Sequence, residues 1–202
     1  ANTGGGGAKG GSSEDGEEGQ KKAIVIEFGG GNLDTSIVDF TNDTATIDKP
    51  SGDTSMGGID IDKAIAHLVL SKIPKDKATE IVKSRAARRV LERACEEFRI
   101  KNSKKTQSEA NNNNGKGGAS SSSGDEEAGK VVVDEILDDF SLNVSITEDE
   151  YAKVLEPFSK KLISCLEDLF KHNKTTKPSE IKELIFVGGV MKTPKIRNTV
   201  KT

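Results

Sequence analysis

Residues 23–34 carry the side chains of this chain that are best suited to chemistry, in the order Ala-Ile-Val-Ile-Glu-Phe-Gly-Gly-Gly-Asn-Leu-Asp. A run of four apolar residues predicts a buried strand, which leads into Glu27, three consecutive glycines, and the polar residues Asn32 and Asp34. Glycines lack a Cβ atom and can aim successive backbone N–H groups into one concavity, so residues 29–31 suit a phosphate. Carboxylates at its rim suit Mg²⁺, usually through bound water. Three glycines after a strand are also typical of a tight hairpin turn, and this stretch alone fits both interpretations.

A second strand followed by glycines occurs late in the sequence. Residues 181–187 predict a buried strand, and Gly188 and Gly189 follow it. Thr193 and Pro194 then have the residue types of a helix N-cap and a first helical position, so a new helix is predicted to begin there. Glycines let a ligand approach the backbone, and a helix N-terminus favours an anion. The chain therefore carries two strand–glycine units that suit the same kind of ligand.

The first unit is predicted to open an antiparallel meander, not a crossover connection, because its strands are separated by turns. A loop is predicted over residues 50–58. The predicted strands of the meander cover residues 23–28, 32–40 and 45–49.

Helices and a second strand pair are predicted to separate the two glycine units. Apolar residues at spacings of three and four predict the helices. Thr147 and Glu150 form a capping box at the start of the last long helix, and Pro157 is expected to break or kink that helix. The predicted helices before it cover residues 59–71 and 77–101, and the predicted strand pair covers 131–137 and 141–146.

Composition excludes several classes of protein. Of 202 residues, 33% are hydrophobic and 31% are charged, and the formal net charge is -3, so no nucleic-acid partner is expected. No apolar run approaches the length of a membrane span, and no membrane association is expected. Cys95 and Cys165 occupy apolar positions of helical patterns, without the spacing of a metal site or a disulfide framework.

Two low-complexity tracts, rich in glycine, serine, asparagine and acidic residues, are predicted to be disordered because they cannot bury enough apolar area. They divide the chain into a sheet subdomain, a helical and small β subdomain, and a return to the sheet subdomain. The predicted divisions are a linker or insertion over 1–22, the sheet subdomain over 23–58, the second subdomain over 59–155 with the disordered insertion 108–130, and the return over 156–202.

Four motifs in this order resemble those of the seventy-kilodalton heat-shock chaperones, which belong with actin and the sugar kinases among the actin-like ATPases. The first motif is similar to the family's second phosphate loop. The second is similar to its next loop and helix start, the third to its adenosine-contacting helix, and the fourth to its adenosine loop. The motifs are Glu27 to Asp34, Gly52 to Asp62, Arg93-Ala94-Cys95-Glu96 with Ser103, and Val187-Gly188-Gly189 with Lys192 to Ile196.

The resemblance implies an α/β, actin-like ATPase (ribonuclease H-like) fold, of which this chain is the second lobe of the nucleotide-binding domain. That lobe consists of a mixed β-sheet with helices and a small α+β subdomain. ATP or ADP with Mg²⁺ is the implied ligand. The implied partners are the first lobe of the same domain, J-domain and nucleotide-exchange co-chaperones, and unfolded polypeptide bound by another domain. A cytoplasmic location is expected.

The resemblance also implies roles for individual residues. Glu27 and Asp34 are the implied catalytic carboxylates, and Asp34 is the implied Mg²⁺ partner, through water. The implied phosphate-binding residues are Gly29, Gly30, Gly31 and Asn32, and the implied adenosine-binding residues are Glu96, Arg99, Ile100, Ser103, Gly188, Gly189, Val190 and Lys192.

Several of these positions depart from the family pattern. Glu27 replaces an Asp, and its extra methylene displaces the carboxylate by about 1 Å, a misplacement that can cost roughly a hundredfold in rate. Ile59 replaces a Glu near the γ-phosphate, and Ile100 replaces an Arg that stacks on adenine. The remaining departures are Asn32 for Thr, Arg99 for Lys, Val190 for Ser and Lys192 for Arg.

Two functions fit this pattern. One is a diverged ATP-hydrolysing chaperone, in which the nucleotide state controls the binding of unfolded polypeptide and hydrolysis is weakened. The other is a non-catalytic relative that acts as a co-chaperone or in nucleotide exchange. A sugar kinase or a non-functional fragment also stays open. The chain by itself is expected to be inactive in hydrolysis, because the other half of the implied cleft is contributed by the first lobe.

Overall fold

A computed structural model describes residues 21–41, 44–112 and 127–200, and it describes the side chains within these ranges except those of 104–112 and 127. The first predicted disordered tract, 1–22, lies outside these residues except for its last two, which belong to a strand. The predicted turn at Asn42 and Asp43 also lies outside the described residues.

The main sheet contains β1 (Lys21–Phe28), β2 (Leu33–Phe40), β3 (Ala45–Ile47), β4 (Ser51–Asp53) and, from late in the chain, β7 (Ile181–Val187). Its strand order is β3-β2-β1-β7, and β4 pairs with β2 at the end of β2 away from β3. Neighbouring strands are antiparallel except β1 and β7, which are parallel. The predicted meander is therefore confirmed, and so is the late strand.

The predicted loop over 50–58 is wrong at its start, because β4 lies within it. Gly52 and Ser51 pair with Asp34 and Thr35 of β2. The Thr35 hydroxyl also donates to the Ser51 carbonyl oxygen at 2.9 Å. Gly and Ser are typical of turns, so tertiary pairing overrides the local preference here.

The first three helices are α1 (Gly58–Ser71), α2 (Lys75–Lys83) and α3 (Arg85–Asn112). The single helix predicted over 77–101 is wrong, because Ser84 divides it. Ser84 has extended backbone angles, its N–H donates to the Glu80 carbonyl, and its Oγ accepts from the Ala87 N–H at 3.2 Å. Ser84 thus ends one helix and caps the next, as serine often does.

The second predicted disordered tract, 108–130, is wrong at both ends. Helix α3 continues through Asn112, and β5 (Glu127–Leu137) begins inside the tract and pairs antiparallel with β6 (Phe140–Thr147). Residues 113–126 of the tract lie outside the described residues. The predicted strand pair of the second subdomain is confirmed and forms a separate two-stranded sheet.

Helix α4 (Glu148–His172) begins at the predicted capping box. The Glu150 N–H donates to Thr147 Oγ1 at 3.2 Å, and the Thr147 N–H donates to Glu150 Oε2 at 2.9 Å. The break expected at Pro157 is wrong, since the helix continues through it. Buried Leu155 and Phe158 on either side fix the helix against its neighbours, which offsets the missing N–H. The predicted boundary between residues 155 and 156 thus falls inside one continuous helix.

One hydrophobic core joins the main sheet to the helices. Phe28, Ile26 and Leu33 of the sheet are fully buried, as are Ile61 and Ile65 of α1. This packing holds the amino end of α1 against the carboxyl end of β1. Helix α5 (Pro194–Asn198) begins after β7 at the predicted position. No helix among the described residues is long and apolar enough to cross a membrane.

Candidate functional site

The two glycine units meet at the carboxyl ends of β1 and β7. The first unit is the hairpin between β1 and β2, closed by the Gly29 N–H donating to the Asn32 carbonyl at 3.0 Å. Gly188 crosses beneath it with φ of +91°, and a Cβ on Gly188 would lie 2.3 Å from the Phe28 carbonyl oxygen. Only glycine fits such a position. The hairpin interpretation is confirmed, and the same turn is also part of a cleft.

The amino end of α1 is fixed to the same hairpin. The N–H groups of Gly58 and Ile59 donate to the carbonyls of Gly29 and Gly30, both at 2.9 Å. These bonds direct the hairpin carbonyls towards α1 and use the first N–H groups of the helix. Within the described part of the chain, the N–H groups of Gly30 and Gly31 form no hydrogen bond. The hairpin N–H groups therefore suit an anion, whereas the N–H groups of Gly58 and Ile59 already donate to the hairpin.

A cleft of about 420 Å³ opens between the glycine loops and α3. Most of the residues that the resemblance implied for a nucleotide lie around it, although no motif contains them all. Gly58 also lines the cleft and was not predicted. The lining residues are Gly29, Gly30, Gly58, Glu96, Arg99, Ile100, Ser103, Gly189, Val190 and Lys192. The remaining predicted residues, Glu27, Gly31, Asn32, Asp34 and Gly188, do not line it.

Glu27 and Asp34 face each other across β1 and β2 at the end of the sheet beside the hairpin. Directly opposed residues of antiparallel strands project on the same side, with Cβ atoms about 5 Å apart. Asn32 donates from Nδ2 to Asp34 Oδ2, which fixes that carboxylate. Two opposed carboxylates repel each other, and a hard cation would relieve the repulsion. The described residues hold no group of three or more potential metal ligands.

Beneath the cleft, Arg99 of α3 forms a buried bidentate ion pair with Asp62 of α1. Arg99 Nε lies 2.6 Å from Asp62 Oδ1, and Nη2 lies 3.1 Å from Oδ2. The two residues are only 7% and 6% exposed. Burial raises the pKa of Asp62, and its bonds with Arg99 oppose that shift. Burial alone would lower the pKa of Arg99, but the contacts with Asp62 raise it.

Arg99 therefore forms part of the cleft wall, and its Nε and Nη2 groups already donate to Asp62. Sequence reasoning missed its partner Asp62. The signal was available, because Asp62 stands between Ile61 and Ile65 near the apolar stripe of α1. A buried acid needs a cation, and Arg99 supplies it.

The end of the cleft away from the hairpin is built from side chains. Ile100 is 40% exposed and faces open space, whereas Val190 is buried. Ser103 lines the same cleft, and its Oγ donates to the Arg99 carbonyl at 3.0 Å and lies 3.0 Å from Thr193 Oγ1. Glu96 stands at the exposed rim. The cleft thus has a backbone-lined end suited to an anion and a mostly apolar end suited to a ring.

Several known proteins are similar to this chain in sequence, at low identity. A family model described as "Hsp70 protein" matches residues 10–202. The chain belongs to the Hsp70 family. Heat shock protein hsp-6 of Caenorhabditis elegans is 26% identical over 184 residues, which are 91% of this chain and 25% of that protein. The chaperone protein DnaK of Thermus thermophilus is 24% identical over 184 residues, 91% of this chain and 27% of its own length.

A third relative, the mitochondrial heat shock 70 kDa protein of Pisum sativum, is 26% identical over 180 residues, 87% of this chain and 23% of that protein. The chain thus spans about a quarter of the length of these curated Hsp70 relatives. Its fold is that of the actin-like ATPases, with the mixed sheet and flanking helices that the resemblance implied.

Proposed function

We propose that this chain forms one side of the nucleotide-binding cleft of an Hsp70-family chaperone, and that it binds ADP or ATP with Mg²⁺. In the complete protein, the nucleotide state would control the binding of unfolded polypeptide. The observation that carries the proposal is the cleft with its two unlike ends, bounded by both glycine units and by α3.

The phosphates are assigned to the hairpin. The N–H groups of Gly30 and Gly31, which form no hydrogen bond within the described residues, would bind phosphate oxygens. A Cβ on Gly30 would meet nothing within 4 Å in the protein, so the space beside it is open. Asn32 would offer the phosphates a side-chain amide N–H where the family has a hydroxyl. The same amide nitrogen already donates to Asp34.

The adenosine is assigned to the other end. Ile100 and Val190 would pack against the base, and the Ser103 hydroxyl, which lines the same cleft, would form a hydrogen bond with it. Glu96 at the rim would accept from the ribose hydroxyls. Gly189 and Lys192 would cover the base from the side of β7.

The opposed carboxylates of Glu27 and Asp34 fit a hydrated Mg²⁺ ion beside the phosphates. When bound, this ion would neutralise the phosphate charge, as it does in phosphoryl-transfer enzymes. The Asp34 carboxylate, fixed by Asn32, would hold its water shell. Glu27 would orient the attacking water, with the longer reach of Glu over Asp.

A second candidate is a non-catalytic relative that binds nucleotide and serves as a co-chaperone. Ile59 favours it, because this residue is 55% exposed at the start of α1, next to the hairpin, and offers no polar group. Phosphoryl transfer depends on positioning and electrostatics, so losses at Glu27 and Ile59 would slow it greatly.

J-domain and nucleotide-exchange co-chaperones, unfolded polypeptide and the first lobe are the partners proposed for the complete protein. A cytoplasmic location stays a prediction, since one relative is named as mitochondrial.

Single-turnover hydrolysis by the longest natural chain that contains these residues separates the two candidates. Conversion of bound ATP to ADP would support the ATPase. Binding without conversion would support the non-catalytic relative, and the pair Glu27→Asp with Ile59→Glu would then be expected to restore conversion. Failure to bind ATP or ADP would contradict both.

A further inference from the structure

An exposed group of cations lies where α2 ends and α3 begins. Residues 82–93 carry five cations and a single anion, Glu92, so this segment has a net charge of +4 in a chain whose net charge is -3. None of the five cationic side chains lines the nucleotide cleft. All five are exposed, and we call them the basic face: Lys83, Arg85, Arg88, Arg89 and Arg93.

The charges of the basic face are almost unpaired. Within the described part of the chain, Arg93 alone among them has an acidic partner, Glu97, at 3.2 Å. The other four side chains form no hydrogen bond or ion pair with the residues that the structure describes. Arg85, Arg89 and Arg93 follow one another at a spacing of four residues, which places neighbouring Cβ atoms about 6 Å apart along one side of α3.

This arrangement lowers the stability of α3. Like charges four residues apart on a helix repel each other. The amino end of a helix also disfavours cations, and the first turn of α3 contains no acidic residue to offset this. Side chains that are unfavourable where they stand, and that find no partner within the protein, point to an anion outside it.

The neighbours of the basic face indicate which anion it fits. Val82 and Val90 stand beside the cations and are 49% and 45% exposed. Guanidinium groups bind phosphate through two parallel hydrogen bonds. A nucleic-acid backbone would engage the arginines and leave the valines in water. The headgroup region of a bilayer accepts cationic and apolar side chains together.

We propose that the basic face is a docking surface for an anionic phospholipid membrane. The arginines would bind headgroup phosphates, and the two valines would enter the interface beside them. The sequence-based expectation of no membrane association rests on the length of apolar runs, and a surface contact needs no such run. The proposal does not rest on nucleotide binding, because the basic face and the cleft share no residue.

The test measures binding to vesicles by sedimentation, with the longest natural chain that contains these residues. Wild type is expected to bind vesicles of equal parts phosphatidylserine and phosphatidylcholine, and not vesicles of phosphatidylcholine alone. A cation near an anionic surface adds about fivefold to affinity, so Arg85→Gln with Arg89→Gln should weaken binding by about twenty-fivefold. The same variant should not lower the thermal midpoint, because it removes a repulsion.

Lys174→Gln with Lys177→Gln is the matched control, because it removes two exposed charges from the loop after α4. It should change vesicle affinity by less than about twofold, since these lysines lie outside the docking surface. Val82→Ser with Val90→Ser should weaken vesicle binding by about threefold or more, because less apolar surface would enter the interface.

Wild type that does not bind the anionic vesicles, or equal losses in the arginine and lysine variants, would overturn the proposal. So would vesicle binding that the valine variant leaves unchanged, together with tighter binding to polyuridylate RNA than to vesicles, which would assign the basic face to a nucleic acid. Each of these results would leave the proposed nucleotide function in place.

Discussion

The two ends of the cleft are built from different materials. At the hairpin end, backbone groups form the surface, and glycines allow the strands and loops to approach closely. At the end assigned to the adenine base, which we call the base end, the side chains of α3 and of the residues after β7 form the surface. The Asp62–Arg99 ion pair and the Ser103–Thr193 hydrogen bond support it. Four of the departures from the family pattern that the sequence analysis inferred lie at the base end, at Arg99, Ile100, Val190 and Lys192. A surface made of backbone groups needs glycine where strands and loops approach closely, so few substitutions are tolerated there. A surface made of side chains can change its residues while the cleft stays open.

The largest effect on stability is expected when the buried ion pair between Asp62 and Arg99 is broken. Asp62→Asn leaves the Arg99 cation buried without a counterion, and we expect a loss of about 3–5 kcal/mol in the free energy of unfolding, measured by urea titration. Removing both charges together, in Asp62→Asn with Arg99→Met, should recover most of this loss.

The control is the exposed pair Arg93–Glu97 on the same helix, with a separation of 3.2 Å. Glu97→Gln should cost no more than about 0.5 kcal/mol. Equal losses in the two acid variants would mean that the base end does not depend on a buried pair.

The next effect tests the backbone-built end. In Gly188→Ala, the new Cβ would lie 2.3 Å from the Phe28 carbonyl at a positive φ, so we expect destabilisation by about 2–3 kcal/mol in the same assay. The neighbouring Gly189→Ala is the matched variant, because a Cβ there meets nothing within 4 Å. A similar stability of the two variants would show that the glycine loops do not need their close approach.

A smaller effect is expected where the hairpin end carries charge. Glu27→Gln removes one of two opposed carboxylates and should raise the stability of the metal-free protein by about 0.2–1 kcal/mol. The same change should reduce the gain in thermal midpoint on adding Mg²⁺ with ADP. Scanning calorimetry with and without these ligands checks both, and a lowered metal-free stability would contradict the repulsion.

The smallest effect is a pH dependence outside the cleft. Hydrogen bonds from the Ser55 hydroxyl and N–H, together with Lys161, lower the pKa of Asp53 to about 2. A carboxyl with a depressed folded-state pKa stabilises the protein above its unfolded-state pKa, and this contribution is lost as pH falls towards 2. Asp53→Asn should therefore lower the thermal midpoint slightly at pH 7 and leave it nearly unchanged near pH 2. A constant difference across this range would contradict the shift.

The sequence predicted the meander, the late strand and the capping box, because each depends on local patterns of apolar and turn residues. It failed where tertiary contacts decide. Ser84 divides a helix although the apolar pattern continues, β4 forms from turn residues, and α4 continues through Pro157.

Within the site, motifs identified the glycine loops and α3 but not what holds them. Asp62 lies inside a quoted motif and beside apolar residues, which marks it as a buried acid, but the pattern does not contain its partner on α3. The position of Arg99 in a motif predicts a ligand contact, and the structure adds that two of its nitrogens donate to Asp62.

The most direct test is a calorimetric titration of Mg-ADP into the longest natural chain that contains these residues and into its Gly30→Ala variant. A Cβ on Gly30 meets no protein atom within 4 Å, so the variant should fold with an unchanged thermal midpoint. The added methyl group would stand where the phosphates are assigned, and we expect affinity to fall by about tenfold or more, which corresponds to 1.4 kcal/mol. Equal affinity of the two proteins, or no binding by the wild type, would contradict a nucleotide bound at this hairpin.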